Sequence, residues 1–120
     1  MRDEGLDGVM DELRAFAMER DWAQFHDPKN LAMAVASEAG ELLAEYRWVS
    51  NADADRHSAE PPVRARVEAE AADVAIALLL FFDRIGVDPL EAVRRKIERN
   101  RENYPVERSR GRAERPAGDA

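Results

Sequence analysis

An all-α fold follows from three features of these 120 residues. Apolar side chains recur at spacings of three and four along four separate stretches. Asp-Pro pairs and a glycine stand where those stretches begin and end. No stretch shows the period-two alternation of a half-buried strand.

The first helix spans Leu6 to Glu19, where Leu6, Val9, Met10, Leu13, Phe16 and Ala17 make one apolar face. DWAQFHDPK (Asp21 to Lys29) breaks the pattern, and Pro28 opens a second helix that runs to about Trp48. The polar segment NADADRHSAEPP (Asn51 to Pro62) reads as a mobile loop. A third helix, Val63 to Ile85, carries the run VAIALLLFF and is apolar all round in its second half, as expected of a central helix enclosed by neighbours. At nine residues the run is about half of what a bilayer requires. Gly86 stops this helix, and Asp88 with Pro89 caps a fourth, DPLEAVRRKIERNREN, which Pro105 ends. The expected organisation is a four-helix bundle over residues 1–106, oligomerising through its helices, and a disordered tail over 107–120 that is rich in Arg, Gly, Pro and Glu.

Composition excludes several classes of function. Net charge is −7, so the surface as a whole repels nucleic acid and anionic membrane. With no cysteine there is no disulfide, thiolate metal site or cysteine nucleophile, which fits a reducing compartment. The charged opening MRDEGLDGVM does not resemble a secretory leader. A cytoplasmic protein without nucleic-acid or membrane partners is the expectation.

The chemistry concentrates in VASEAGELLAEYRW (Val35 to Trp48). Glu38, Glu41 and Glu45 lie beside the stripe of Leu31, Val35 and Leu42, so carboxylates stand where a core is expected. Helix three offers a second pair, Glu70-x-x-Asp73, and residues three apart occupy the same face. Four carboxylates among apolar neighbours repel one another and are costly to desolvate unless cations compensate, and hard cations such as Mg²⁺ suit oxygen ligands. Gly40 sits inside helix two despite a cost of about 1 kcal/mol relative to alanine, which suggests close approach of another helix or a ligand. A di-iron carboxylate site fits poorly, because it wants Glu-x-x-His and neither His26 nor His57 follows a glutamate at that spacing. Helix four adds Lys96, Asn100 and Tyr104 in one row, a cation, an amide and a phenol suited to a phosphate chain or a ribose.

In order and spacing, Glu38-x-x-Glu41, Glu70-x-x-Asp73 and Lys96-x-x-x-Asn100-x-x-x-Tyr104-Pro105 resemble the MazG-like all-α nucleoside triphosphate pyrophosphohydrolases, most closely the branch of the dCTP pyrophosphatases. The stretches FHDPKNLAMAVASEAGELLAEYRW, EAEAADVAIALLLFFDRIGVD and KIERNRENYPV carry the likeness, which covers most of residues 16 to 106. The resemblance implies hydrolysis of a nucleoside triphosphate, dCTP or a related or modified pyrimidine nucleotide, between the α and β phosphates. It implies Mg²⁺ held by Glu38, Glu41, Glu70 and Asp73, with Glu38 or Glu41 as general base, and a homodimer or homotetramer. It also implies that Lys96, Asn100 and Tyr104 contact phosphates or sugar, and that Phe25, His26 and Trp48, with Trp22 a further candidate, form the base pocket.

Two positions depart from the pattern. Ala77 stands where dCTP-preferring relatives carry a bulky aromatic, and Ser37 where some carry an additional acid. The first opens the alternative of another base, dUTP or a purine analogue. A noncatalytic helical interaction module, using the basic fourth helix and the tail, is the alternative from a different class.

Overall fold

The computed structural model describes residues 5–114 and residue 116. Helix is their only regular secondary structure, with no strand among them, and the chain divides into two compact units, Met1–Gly86 and Val87–Ala120. Within the described residues no helix is long and apolar enough to cross a membrane.

The first unit contains α1 (Leu6–Glu19), α2 (Pro28–Ala44), α3 (Ala54–Ala59) and α4 (Pro61–Ile85). Asp27 caps α2 by accepting the Asn30 N–H at 3.0 Å, with Pro28 as the first helical residue. At the far end of α4, Gly86 adopts φ 72°, the left-handed conformation that ends a helix and suits a residue without a side chain. The α2 and α4 helices pack along each other and α1 leans on α4. Arg14 ties α1 to α4, donating from Nε and Nη2 to Asp83 at 3.0 and 2.8 Å. That pair is half exposed, so its contribution is modest.

Three expectations need correction. The segment 51–62 is not a loop: a 3₁₀ turn, Asn51–Asp53, leads into α3. Ser50 caps the turn, and Tyr46 Oη lies 2.7 Å from Ser58 Oγ, which ties α3 back to the end of α2. Second, α2 stops at Ala44, and residues 45–48 continue as turns. Third, the neighbours described within the first unit do not enclose α4. Only Val63 and Ala77 of that helix are buried, while Ile76 and Leu78 remain 39% and 41% exposed. The core of the unit consists of Met10, Ala17, Leu31, Val63 and Ala77, and no large side chain among the described residues is fully buried.

Among the described residues nothing closely approaches Gly40, since a Cβ added there would meet nothing within 4 Å. Gly40→Ala is therefore expected to raise stability by about 0.5–1 kcal/mol through helix propensity. Chemical denaturation measures this, and a loss of stability would mean that a second molecule occupies that face.

The second unit contains α5 (Pro89–Asn103) and the single turn α6 (Val106–Ser109). Asp88 caps α5 by accepting the Glu91 N–H at 3.0 Å, and Pro89 fills its first position. The helix ends where the Tyr104 N–H bonds to Asn100 O at 2.7 Å, ahead of Pro105. Of the expected tail, residues 115 and 117–120 lie outside the described residues.

Candidate active site

Antiparallel packing of α2 on α4 brings the two acidic pairs together. One carboxylate oxygen from each of Glu38, Glu70 and Asp73 lies within 4.8 Å of the others. Glu38 and Glu70 are half-buried, and Asp73 is exposed. Glu41, also exposed, stands one turn beyond Glu38 on the same helix.

The electrostatics of Glu70 register this crowding. Desolvation, then the neighbouring charges of Asp73, Glu41, Glu38 and Glu45, hold its carboxyl above the ordinary carboxylate range. The folded chain thus keeps a proton that the unfolded chain releases at lower pH. The associated stability is full below the unfolded pKa and is lost as pH rises through the folded one. Metal-free protein is expected to lose thermal stability over that interval, and Glu70→Gln to remove this part of the pH dependence. Melting curves of the two proteins that stay parallel across the interval would contradict this cause.

Three carboxylates within one ion's reach, all oxygen donors, form the kind of set that a hard divalent cation takes. Nothing softer is available, since the cluster contains neither sulfur nor imidazole.

A cavity of about 310 Å³ adjoins the cluster, and Glu38 and Asp73 form part of its wall. Leu31, Ala34, Ile76, Ala77 and Leu80 supply apolar surface, while Phe25, His26 and Asn30 stand at its α2 entrance. Asp27 and Pro28 start α2 immediately after Phe25 and His26, and Asn30 Nδ2 donates to Phe25 O at 3.1 Å, which fixes this corner. An apolar slot with a few polar groups, opening onto a carboxylate cluster, can hold a flat ring at one end and a metal-bound polyanion at the other.

The structure thus unites Glu38, Glu70, Asp73 and His26, with Glu41 near by. Trp48 lies elsewhere: it is 90% exposed and lines a separate hollow with Ser50, Asp53, Arg56, His57 and Glu60. Trp22 meets the edge of Phe16 at 5.6 Å between ring centroids and lines an apolar recess that shares His26, Ile76 and Leu80 with the larger cavity. Lys96, Asn100 and Tyr104 belong to the second unit, the first two on exposed turns of α5 and Tyr104 at its C-terminal cap. Sequence reasoning missed Asn30 and Arg66. Asn30 precedes Ala34 and Glu38 at spacings of four, so the periodicity that found the glutamates also points to it. Arg66, four residues before Glu70, donates from Nε to Glu45 Oε1 at 2.6 Å.

Comparison with known proteins agrees with this arrangement. Residues 33–117 match the MazG-like family. The chain is 44% identical over 98 residues to dCTP pyrophosphatase 1 of Rattus norvegicus and 39% identical over 95 residues to that of Homo sapiens. These alignments cover 82% and 79% of this chain, which spans only 58% and 56% of the length of those relatives. Among solved structures, a pyrophosphatase from Archaeoglobus fulgidus superposes with a TM-score of 0.80 at 36% identity, covering 88% of this chain and 96% of that one.

Proposed function

The chain belongs to the MazG-like family, and from that premise we propose that it is a Mg²⁺-dependent nucleoside triphosphate pyrophosphohydrolase. Its substrate is dCTP or a related pyrimidine nucleotide, and its products are the monophosphate and pyrophosphate. The observation that carries this reading is the junction of the Glu38–Glu70–Asp73 cluster with the cavity of Phe25, His26 and Asn30. The names of the relatives, dCTP pyrophosphatase 1, support the choice of base.

Glu38, Glu41, Glu70 and Asp73 would hold the cation. When bound, a divalent ion neutralises the triphosphate, orients it and lowers the pKa of a coordinated water. Glu38 or Glu41 accepts the proton of the attacking water as general base. The apolar walls around Leu31, Ile76 and Ala77 exclude solvent from the base, and His26 and Asn30 offer hydrogen bonds to its edge. By their chemistry, Lys96, Asn100 and Tyr104 are assigned contacts to phosphates or sugar, whereas Trp48, which lines a separate hollow, is given no part in the base pocket.

The active form we infer is a homo-oligomer, a dimer or a tetramer, because Ile76 and Leu78 of α4 are left part-exposed by the helices of the first unit. Light scattering at working concentration checks it, and a strict monomer would count against it. The reaction itself is tested by pyrophosphate release from a panel of canonical and modified nucleoside triphosphates, with Mg²⁺ and then with chelator. Metal-dependent release from pyrimidine substrates is expected; no release from any triphosphate by the folded protein would refute the assignment.

A further inference from the structure

Glu45 is the third glutamate on the acidic face of α2, yet it stands apart from the four that the proposed function uses. Position by position, antiparallel α4 offers α2 first Asp73, then Glu70, then Arg66. Along this row the sign changes once, at Arg66, where the partner on α2 is Glu45. We propose that Arg66 is a positioning residue that closes the acidic row, pairing with Glu45 and keeping its carboxylate away from the ion held by Glu38, Glu41, Glu70 and Asp73. The inference rests on the metal-dependent reading above.

Three features of the pair support it. Arg66 Nε reaches both carboxylate oxygens, at 2.6 and 3.4 Å. The Glu45 side chain is only 19% exposed, whereas Arg66 is 55% exposed, so the acid is the partner that most needs a counter-charge. The main chain at Glu45 is pinned as well. His57 Nε2 donates to its carbonyl at 3.0 Å, the His57 ring meets the edge of Tyr46 at 5.8 Å, and Tyr46 is itself bonded to Ser58. With its backbone fixed, the choice left to Glu45 is where its carboxylate turns. Four residues after Glu41, it stands one helical turn beyond the last acid of the proposed ligand set on α2.

Freed from Arg66, Glu45 becomes a fifth carboxylate beside the cluster, and one positive charge that opposes the cation is lost. Both changes tighten divalent-ion binding, and a fifth oxygen on the ion leaves less room for water and phosphate.

Calorimetric titration of the full chain with MgCl₂ tests this, alongside kcat and KM at saturating Mg²⁺. For Arg66→Met the expected result is Mg²⁺ binding tightened roughly fivefold, as a nearby charge pair implies, together with a lowered kcat. Glu45→Gln is expected to weaken binding by a similar factor. The double variant Glu45→Gln/Arg66→Met restores the local charge balance and should return within about twofold of the parent in both measures. Arg66→Lys should stay near the parent, and Arg64→Met, an exposed arginine one half-turn earlier on α4, should change little. If Arg66→Met folds poorly, the double variant and Arg66→Lys still decide. Parent-like Mg²⁺ affinity in Arg66→Met, or a double variant that keeps the altered affinity, would overturn the role of the pair alone. A parent protein that binds no Mg²⁺ would overturn the metal-dependent reading with it.

Discussion

Asp73→Asn is expected to lower pyrophosphate release by at least about a hundredfold while leaving the far-ultraviolet helix signal intact. Asp73 gains little from folding, because its side chain is exposed and it caps or braces no helix. What it contributes is one anionic oxygen to a cluster in which Glu38 and Glu70 are the other members within an ion's reach. Asparagine keeps the shape and one oxygen but loses the charge, so ion affinity falls before anything structural changes. The loss should therefore appear first as a higher Mg²⁺ requirement, with partial recovery at high Mg²⁺. Glu41→Gln tests the second acid of α2 in the same way. Full turnover in both variants would remove the carboxylate cluster from the reaction.

Ala77→Phe is expected to separate substrates by the size of the base. Ala77 is 6% exposed and lines the 310 Å³ cavity together with Ala34, Ile76 and Leu80. A phenyl ring at this position projects into the cavity, so kcat/KM for purine triphosphates should fall by about tenfold or more. Pyrimidine triphosphates should lose less, and Mg²⁺ binding measured without nucleotide should not change. Overpacking a core position carries a stability cost of about 1–3 kcal/mol, which a melting curve separates from the effect on substrate. Equal loss for purines and pyrimidines would show that this cavity does not hold the base.

Much of this architecture was legible from local chemistry. Asp27-Pro28, Asp88-Pro89 and Gly86 mark helix ends because capping and the left-handed turn depend on a few adjacent residues. The acidic cluster was legible for the same kind of reason, since spacings of three along two helices fix which carboxylates share a face. What escaped depended on contacts between distant segments. The residues of α3, ADRHSA, have the composition of a loop, and they become helical where Tyr46 and His57 anchor them to the end of α2. Nothing in the local sequence singles out Arg66, whose pairing with Glu45 depends on α2 lying against α4. The enclosure expected for α4 from its apolar run is not supplied within the first unit, because a run of leucines reports that a surface must be covered without naming what covers it.

The antiparallel register of α2 on α4 works as a ruler with residues as its divisions. Each carboxylate, the counter-charge at Arg66 and the small side chains of the cavity wall are set by counting along two helices. A single residue gained or lost between Glu38 and Glu41 would turn everything beyond it by about 100°, taking Glu45 away from Arg66 and Glu41 away from Glu70 in one step. The polar connection through Ser50 and Asn51 carries no such count. Evolution can therefore lengthen or shorten that connection while the chemistry of the cluster stays fixed, whereas the interior of α2 can change its letters but not its length.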